Sequence, residues 1–388
     1  MFIKKNYLFS PGPTQTMDDA MLAMAKSLVH HRTPEFSKIF EEAAEGLKFL
    51  FQTKEDVLIL SSSGTGAMEA SISNLFAKGE KVLAVVGGKF GERWRDIAKA
   101  YGLEVVCIDV EWGKAVDPGQ VEEALRAEPD IKGVLVQATE TSTAARHPIE
   151  ELAKIVSPKE DTLLIVDGIT GVGVFDIPFD TLKLDVLLSG SQKAFMIPPG
   201  LAFIALSEKA WARNKRSDLP RYYFNLAKER KALKDHTSAY TPAVSLVIGL
   251  RVALEHIRQK GLEALFTHTA LLSKATRLAF EGVGLELLAK DAPSPALTGV
   301  LLPEGVPGEK LVKALRDQAG ITFAGGQDKF KGKVVRMAHI GYLSELDTLL
   351  AIAALEIGLA RFGVRIEPGK AVGIAEQAFL EAGFLKEA

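Results

Sequence analysis

The sequence predicts an α/β protein: a large domain with a mainly parallel seven-stranded sheet (one antiparallel strand) flanked by helices, plus a smaller α+β C-terminal domain. Three observations predict it. Short runs that are apolar throughout alternate with helical stretches, the pattern of parallel strands covered on both faces. The last two runs are joined by a link too short for a helical crossover, so one antiparallel strand belongs there. Beyond about residue 240 the strands thin out and long helical periods take over.

Residues 1–15 read as an extended arm, because PGPT (Pro11 to Thr14) cannot hold a helix. From Pro34, residues Phe36, Ile39, Phe40, Ala43, Ala44, Leu47, Leu50 and Phe51 follow a 3.6-residue period and give one apolar helix face. The strand runs are VLIL (57–60), KVLAVV (81–86), EVVCIDV (104–110), GVLVQA (133–138), LLIVD (163–167), DVLLSG (185–190) and LAFIAL (201–206). Helical stretches such as RWRDIAKAYG (93–102) and PIEELAKIV (148–156) lie between them. Helices at 243–260 and 262–281 lead to LTGVLLP, a helix at 309–319 stopped by Gly320, and KVVRMAHIG. Ser344 and Asp347 form a capping box for a helix running to Phe362, with Gly363 as its stop. The division expected is an arm at 1–15, a large domain at 16–264 and a small domain at 265–388, which the arm can join.

A net charge of -2 on 388 residues makes no electrostatic case for nucleic acid or a membrane surface as partner. No apolar run approaches a membrane span, and the N-terminus is too short and polar for a secretory signal, so a cytoplasmic protein is expected. The single cysteine, Cys107, permits no internal disulfide and no cysteine-ligated cluster; in its apolar run it reads as a small buried hydrophobe.

In such sheets ligands gather at the carboxyl ends of the strands. After 57–60 comes SSSGTGAMEA (61–70), hydroxyls and glycines opening a helix, which offers N–H groups to an anion. Glu69 stands where a dinucleotide fingerprint needs its third Gly or Ala, so a single phosphate is the better ligand. After 163–167 comes Asp167, which alone would read as a turn cap; after 185–190 comes Lys193, whose burial would lower its pKa and make it a nucleophile. An anion cradle, a buried carboxylate and an amine at neighbouring strand ends match the needs of pyridoxal phosphate.

Here the sequence resembles the class V, fold type I pyridoxal-phosphate aminotransferases, specifically the alanine–glyoxylate, serine–glyoxylate and serine–pyruvate group. The resemblance runs through LFSPGPT, HHRTPEF, SSSGTGAMEA, GGKFGERW, TETST, VDGITGVG, SGSQKAFMIPPG, YTPAVSL and KVVRMAHIG, nearly the whole chain. It implies that Lys193 is the Schiff-base lysine and proton shuttle, and that Asp167 pairs with the pyridinium nitrogen. Ser63, Gly64, Thr65 and Gln192 would hold the phosphate. Phe90 would lie over the cofactor face, Thr141 near its phenolic oxygen, and Arg336 would grip the substrate's α-carboxylate. Relatives send a Tyr and a Thr from the neighbouring subunit to the phosphate. Thr241 matches the Thr, whereas the Tyr position falls on Ser238 with Tyr240 adjacent, which leaves open what stands in for it. Thr65 and Phe90 replace the His and Trp of some members.

The resemblance therefore implies a homodimer and a ping-pong transaminase acting on small amino acids, alanine or serine, with an α-keto acid such as glyoxylate or pyruvate. No second arginine is evident for a distal carboxylate, although Arg32 and Arg146 are candidates. An aspartate-, phosphonate- or phosphoserine-specific aminotransferase is the alternative, as is a partner subunit of the kind labelled soluble hydrogenase small subunit. A cysteine desulfurase needs a mobile-loop cysteine, and Cys107 sits in a predicted strand.

Overall fold

The computed structural model describes residues 4–385. The first three residues of the predicted arm and the last three of the chain lie outside the described residues. The arm contributes β1 (Tyr7–Leu8), paired in parallel with β13 (Ile321–Thr322). Phe9 then packs beside Phe323, 6.0 Å between ring centroids, within a core that also holds Leu272, Phe280, Val335 and Met337. From Ser10 the arm crosses towards Lys193, and the Thr14 N–H donates to the Gln192 carbonyl at 3.2 Å.

Seven strands form the large sheet: β2 (Val57–Leu60), β3 (Lys81–Val86), β4 (Glu104–Asp109), β5 (Ile131–Gln137), β8 (Leu163–Asp167), β9 (Val186–Gly190) and β10 (Ala202–Leu206). Their order is β2-β10-β9-β8-β5-β3-β4. Only β10 runs against its neighbours; it pairs Ala202 with both Leu60 and Gly190, as the short link before it requires. The ends of β2, β3, β5, β8 and β9 therefore share one edge. β2, β8, β9 and β10 are buried at every residue, which is why they read as unbroken apolar runs.

β4 departs from that reading. It is the edge strand, paired with β3 alone, and its faces are only partly covered. Cys107 is accordingly half-buried, not a core residue, and burial pushes its thiol pKa up.

Three helices matter for the site: α2 (Pro34–Phe51), α3 (Gly64–Leu75) and α4 (Lys89–Ala100), after a short α1 (Asp18–Met24). All eight apolar positions predicted on α2 are buried, and its N-cap Thr33 accepts from the Phe36 N–H at 3.3 Å. The small hairpin β6 (Thr139–Glu140) with β7 (Ala145–Arg146) follows β5.

A second sheet, ordered β11 (Glu286–Leu287), β12 (Leu297–Leu301), β15 (Val334–Ala338) and β14 (Ala324–Gly325), has its own hydrophobic core. The helix expected at 309–319 is α-helical only to Ala314, then widens to a π turn over Leu315–Ala319. The wider turn keeps Leu315 in the core while Gly320 takes the left-handed conformation and offers its carbonyl to the Tyr7 N–H at 2.9 Å. Ser344 and Asp347 form the predicted capping box for the helix Glu345–Arg361.

Candidate active site

Five strand ends deliver chemistry to one edge. Beyond β9, Lys193 is 7% exposed, and its Nζ donates to the Pro11 carbonyl of the crossing arm. Any side chain at Gly12 would run into that Nζ, so the arm's closest approach needs glycine. Burial lowers the amine's pKa to about 8; the nearby Asp167 carboxylate opposes the shift, and the Arg336 and Arg93 cations add to it.

Asp167 closes β8 beside Gln137 of β5 and is 4% exposed. Its Oδ1 accepts from the Ile169 N–H at 2.8 Å. Burial, with the Glu140 charge, raises its pKa to about 7 against the Ile169 hydrogen bond and the Lys193 and Arg93 charges. A carboxylate so thinly supported gains from a cationic partner.

Beyond β2, Ser63 is the N-cap of α3, yet its hydroxyl makes no capping bond. Gly64 and Thr65 occupy the first turn, where N–H groups have no intrahelical acceptor. The amide of Gln192 lies next to them: a Cβ on Gly190 would be 3.0 Å from Gln192 Oε1 and 3.3 Å from Gly64 N. That buried oxygen has no hydrogen-bond partner among the described residues.

Arg336 stands in the middle of β15 and is 6% exposed. Its Nε and Nη2 donate to the Gly325 carbonyl at 3.0 and 2.8 Å, and Nη1 to the Thr141 carbonyl at 2.7 Å. Three of its donors thus meet neutral carbonyls, and no carboxylate pairs with it among the described residues. Burial lowers its pKa to about 10. The Thr141 hydroxyl is buried and donates to Thr170 Oγ1 at 2.9 Å.

Phe90, second in α4, is half-buried beneath the Arg93 guanidinium. The start of α4 is held by Glu140, a fully buried side chain that sequence reasoning missed. It accepts from the N–H groups of Phe90 (3.1 Å) and Gly91 (3.0 Å), from Gln137 Nε2 (2.9 Å), and from Ser142 N–H (3.1 Å) and Oγ (2.5 Å). Burial raises its pKa and these hydrogen bonds hold it down. Arg93 and Thr170 were also missed; TETST and GGKFGERW were the visible signals for Glu140 and Arg93.

The structure leaves Thr241 apart from this group. It is exposed, on a segment that packs beside Ser61. Ser238 is buried and donates to the Tyr240 carbonyl at 2.6 Å, while the Tyr240 hydroxyl donates to the Tyr222 carbonyl at 2.9 Å. Both hydroxyls are thus engaged within their own chain. Arg32 is exposed, and Arg146 stacks on Phe175 at 4.1 Å and faces Glu150 at 3.8 Å.

A buried amine, a buried carboxylate and an unneutralised arginine converge at the carboxyl edge of a mainly parallel sheet. The family model for class-V aminotransferases matches residues 6–339. The chain belongs to this family, whose members are pyridoxal-phosphate-dependent enzymes. It is 40% identical to the soluble hydrogenase 42 kDa subunit of Anabaena cylindrica, over 97% of this chain and 99% of that one. It is 37% identical to the serine–glyoxylate aminotransferase of Methylorubrum extorquens, over 97% and 96%. Among solved structures, ureidoglycine–glyoxylate aminotransferase from Bacillus subtilis superposes with a TM-score of 0.92 at 28% identity, covering 97% of this chain and 99% of that one.

Proposed function

We propose that this chain is a cytoplasmic, homodimeric transaminase that moves the amino group of a small amino acid, alanine or serine, to glyoxylate or pyruvate. The observation that carries the reading is Lys193: a buried amine with its pKa brought down to about 8, within the electrostatic reach of Asp167 and Arg336. The glyoxylate in two of the relatives' names supports the choice of acceptor.

The residues fit pyridoxal phosphate. Lys193 Nζ would meet the aldehyde, Asp167 the pyridine nitrogen, and Ser63, Gly64, Thr65 and Gln192 the phosphate. The first-turn N–H groups of α3 and the Ser63 hydroxyl, which makes no capping bond, are the sign that this cradle expects an anion. When bound, the cofactor supplies an electron sink for the bond broken at the donor's Cα.

The chain does the rest. Lys193 Nζ, its pKa brought down to about 8 by burial, would be the group that takes the proton from the donor's Cα and moves it to the bound cofactor. Asp167 would accept the N–H of the pyridine nitrogen and so favour its protonated form. Arg336 holds the donor's α-carboxylate with its remaining N–H groups, so that the Cα–H bond faces Nζ. With the amino group held on the bound cofactor between the two half-reactions, Arg336 would release the keto acid and take the acceptor's carboxylate, and Lys193 would return the proton to the acceptor's carbon. Thr241, exposed on the chain's surface, would serve the phosphate of a second subunit. The hydrogenase-subunit reading is then that of a partner subunit without the metal centre, since the sequence holds one cysteine, and no group of three or more His, Cys, Asp or Glu among the described residues could hold a metal.

The test is a donor–acceptor matrix, with alanine, serine, aspartate and glutamate against glyoxylate, pyruvate and 2-oxoglutarate. Alanine or serine with glyoxylate should give the highest kcat/KM. Turnover confined to aspartate or glutamate would overturn the substrate assignment.

A further inference from the structure

One cation at this edge has no task in that scheme. Arg93 lies one turn into α4, three residues after Phe90, so its side chain folds back over the Phe90 ring, with Cζ 4.8 Å from the centroid. Its Nη1 donates to Thr65 Oγ1 at 3.0 Å. Thr65 belongs to the first turn of α3, and a hydroxyl is a neutral acceptor.

Arg93 is half-buried and pairs with no carboxylate among the described residues. Its neighbours are different. Arg95 is bonded to Asp96 at 2.8 Å, and Arg213, also over a phenylalanine ring, is bonded to Glu80 at 2.6 Å. A partly desolvated guanidinium without a counter-ion is costly unless an anion completes it. Its charge also reaches the reacting groups, lowering the pKa of both Lys193 and Asp167. It therefore faces the same edge they do.

The cradle itself offers only neutral groups: two backbone N–H donors, the Ser63 and Thr65 hydroxyls and the Gln192 amide. A phosphate monoester brings close to two negative charges at neutral pH. We infer that Arg93 is the counter-charge for that dianion, a phosphate-binding side chain held in place by Phe90 and Thr65. The inference rests on the pyridoxal phosphate reading above. It gives the contact over Phe90 a purpose, because the cation then joins the ring on the cofactor's face to the phosphate at its end.

The experiment compares two ligands of the cofactor-free, full-length protein: pyridoxal phosphate, and pyridoxal, which lacks the phosphate. Arg93→Gln should weaken pyridoxal phosphate by about 10- to 100-fold, the range for a lost charged hydrogen bond, and leave pyridoxal within about threefold. Arg93→Lys should recover part of the loss. Equal weakening of both ligands would show that Arg93 only supports Phe90, and no change in either would remove it from the site; both overturn the inference while leaving the cofactor reading intact. A wild-type protein that binds neither ligand overturns both. A second measurement avoids variants altogether. Phenylglyoxal should label Arg93 in the cofactor-free wild type, and inorganic phosphate should protect it; labelling unaffected by phosphate contradicts the assignment.

Discussion

Two lysine–aspartate pairs stand at opposite edges of the large sheet. At the amino edge, Asp185 precedes β9 and is 3% exposed. It accepts from Lys209 Nζ (3.0 Å), the Leu164 N–H (2.8 Å) and Ser207 Oγ (3.0 Å). Lys209 is completed in turn by the carbonyls of Lys159 and Thr162, at 3.0 and 2.9 Å. At the carboxyl edge, Asp167 has one backbone N–H and Lys193 one carbonyl, with no ion pair between them. The first pair spends its charges on closing a helix and a strand end. The second keeps them apart and underused, which is the arrangement a ligand can complete.

That contrast can be broken most forcefully by removing each carboxylate in turn. Asp167→Asn should lower kcat/KM by about 10²–10³-fold, the scale of a lost electrostatic contact to reacting groups, with little loss of stability. Asp185→Asn should do the opposite. It leaves Lys209 without its anion and should cost about 3 kcal/mol in urea unfolding, with kcat per folded molecule unchanged. Equal effects of the two substitutions on activity would erase the distinction.

A smaller effect sharpens it through pH. In the cofactor-free protein Lys193 titrates near 8, below its unfolded value of 10.5, so the unfolded chain binds more protons between those values and stability rises with pH there. Asp167 titrates near 7, above 3.8, so the native chain binds more protons between those values and stability falls as pH rises through that window. Together they place a minimum between pH 7 and 8. Lys193→Met with Asp167→Asn should flatten it in thermal melts taken across pH 4–10.

The smallest effect belongs to β4. Cys107→Ser should change stability by no more than about 0.5 kcal/mol and leave transamination intact, because the thiol is a half-buried residue within the edge strand and makes no hydrogen bond to the described site residues. A large loss of activity would reopen a role for the cysteine.

Much of this was legible before any coordinates. Strands buried on both faces must be apolar throughout, so their ends, and with them Asp167 and Lys193, could be located along the chain. The antiparallel β10 followed from a link too short to cross over. What could not be read depends on partners distant in sequence. Pro11 meets Lys193 across 182 residues, and Arg93 reaches Thr65 and Glu140 reaches Phe90 with no shared local periodicity. Edge position was hidden too, since EVVCIDV is as apolar as its neighbours and only the pairing order exposes it. The tyrosine hydroxyl expected at the phosphate stayed unassigned because Ser238 and Tyr240 are both committed to carbonyls of their own chain.

The central claim is that Lys193 is the amine that carries the cofactor. Borohydride reduction of the pyridoxal-phosphate-loaded protein, followed by peptide mass analysis, tests it directly. The account predicts one phosphopyridoxyl group per chain, on the peptide containing Lys193, and none on a Lys193→Ala variant. The same label on another lysine, or an unchanged label in the variant, would contradict it.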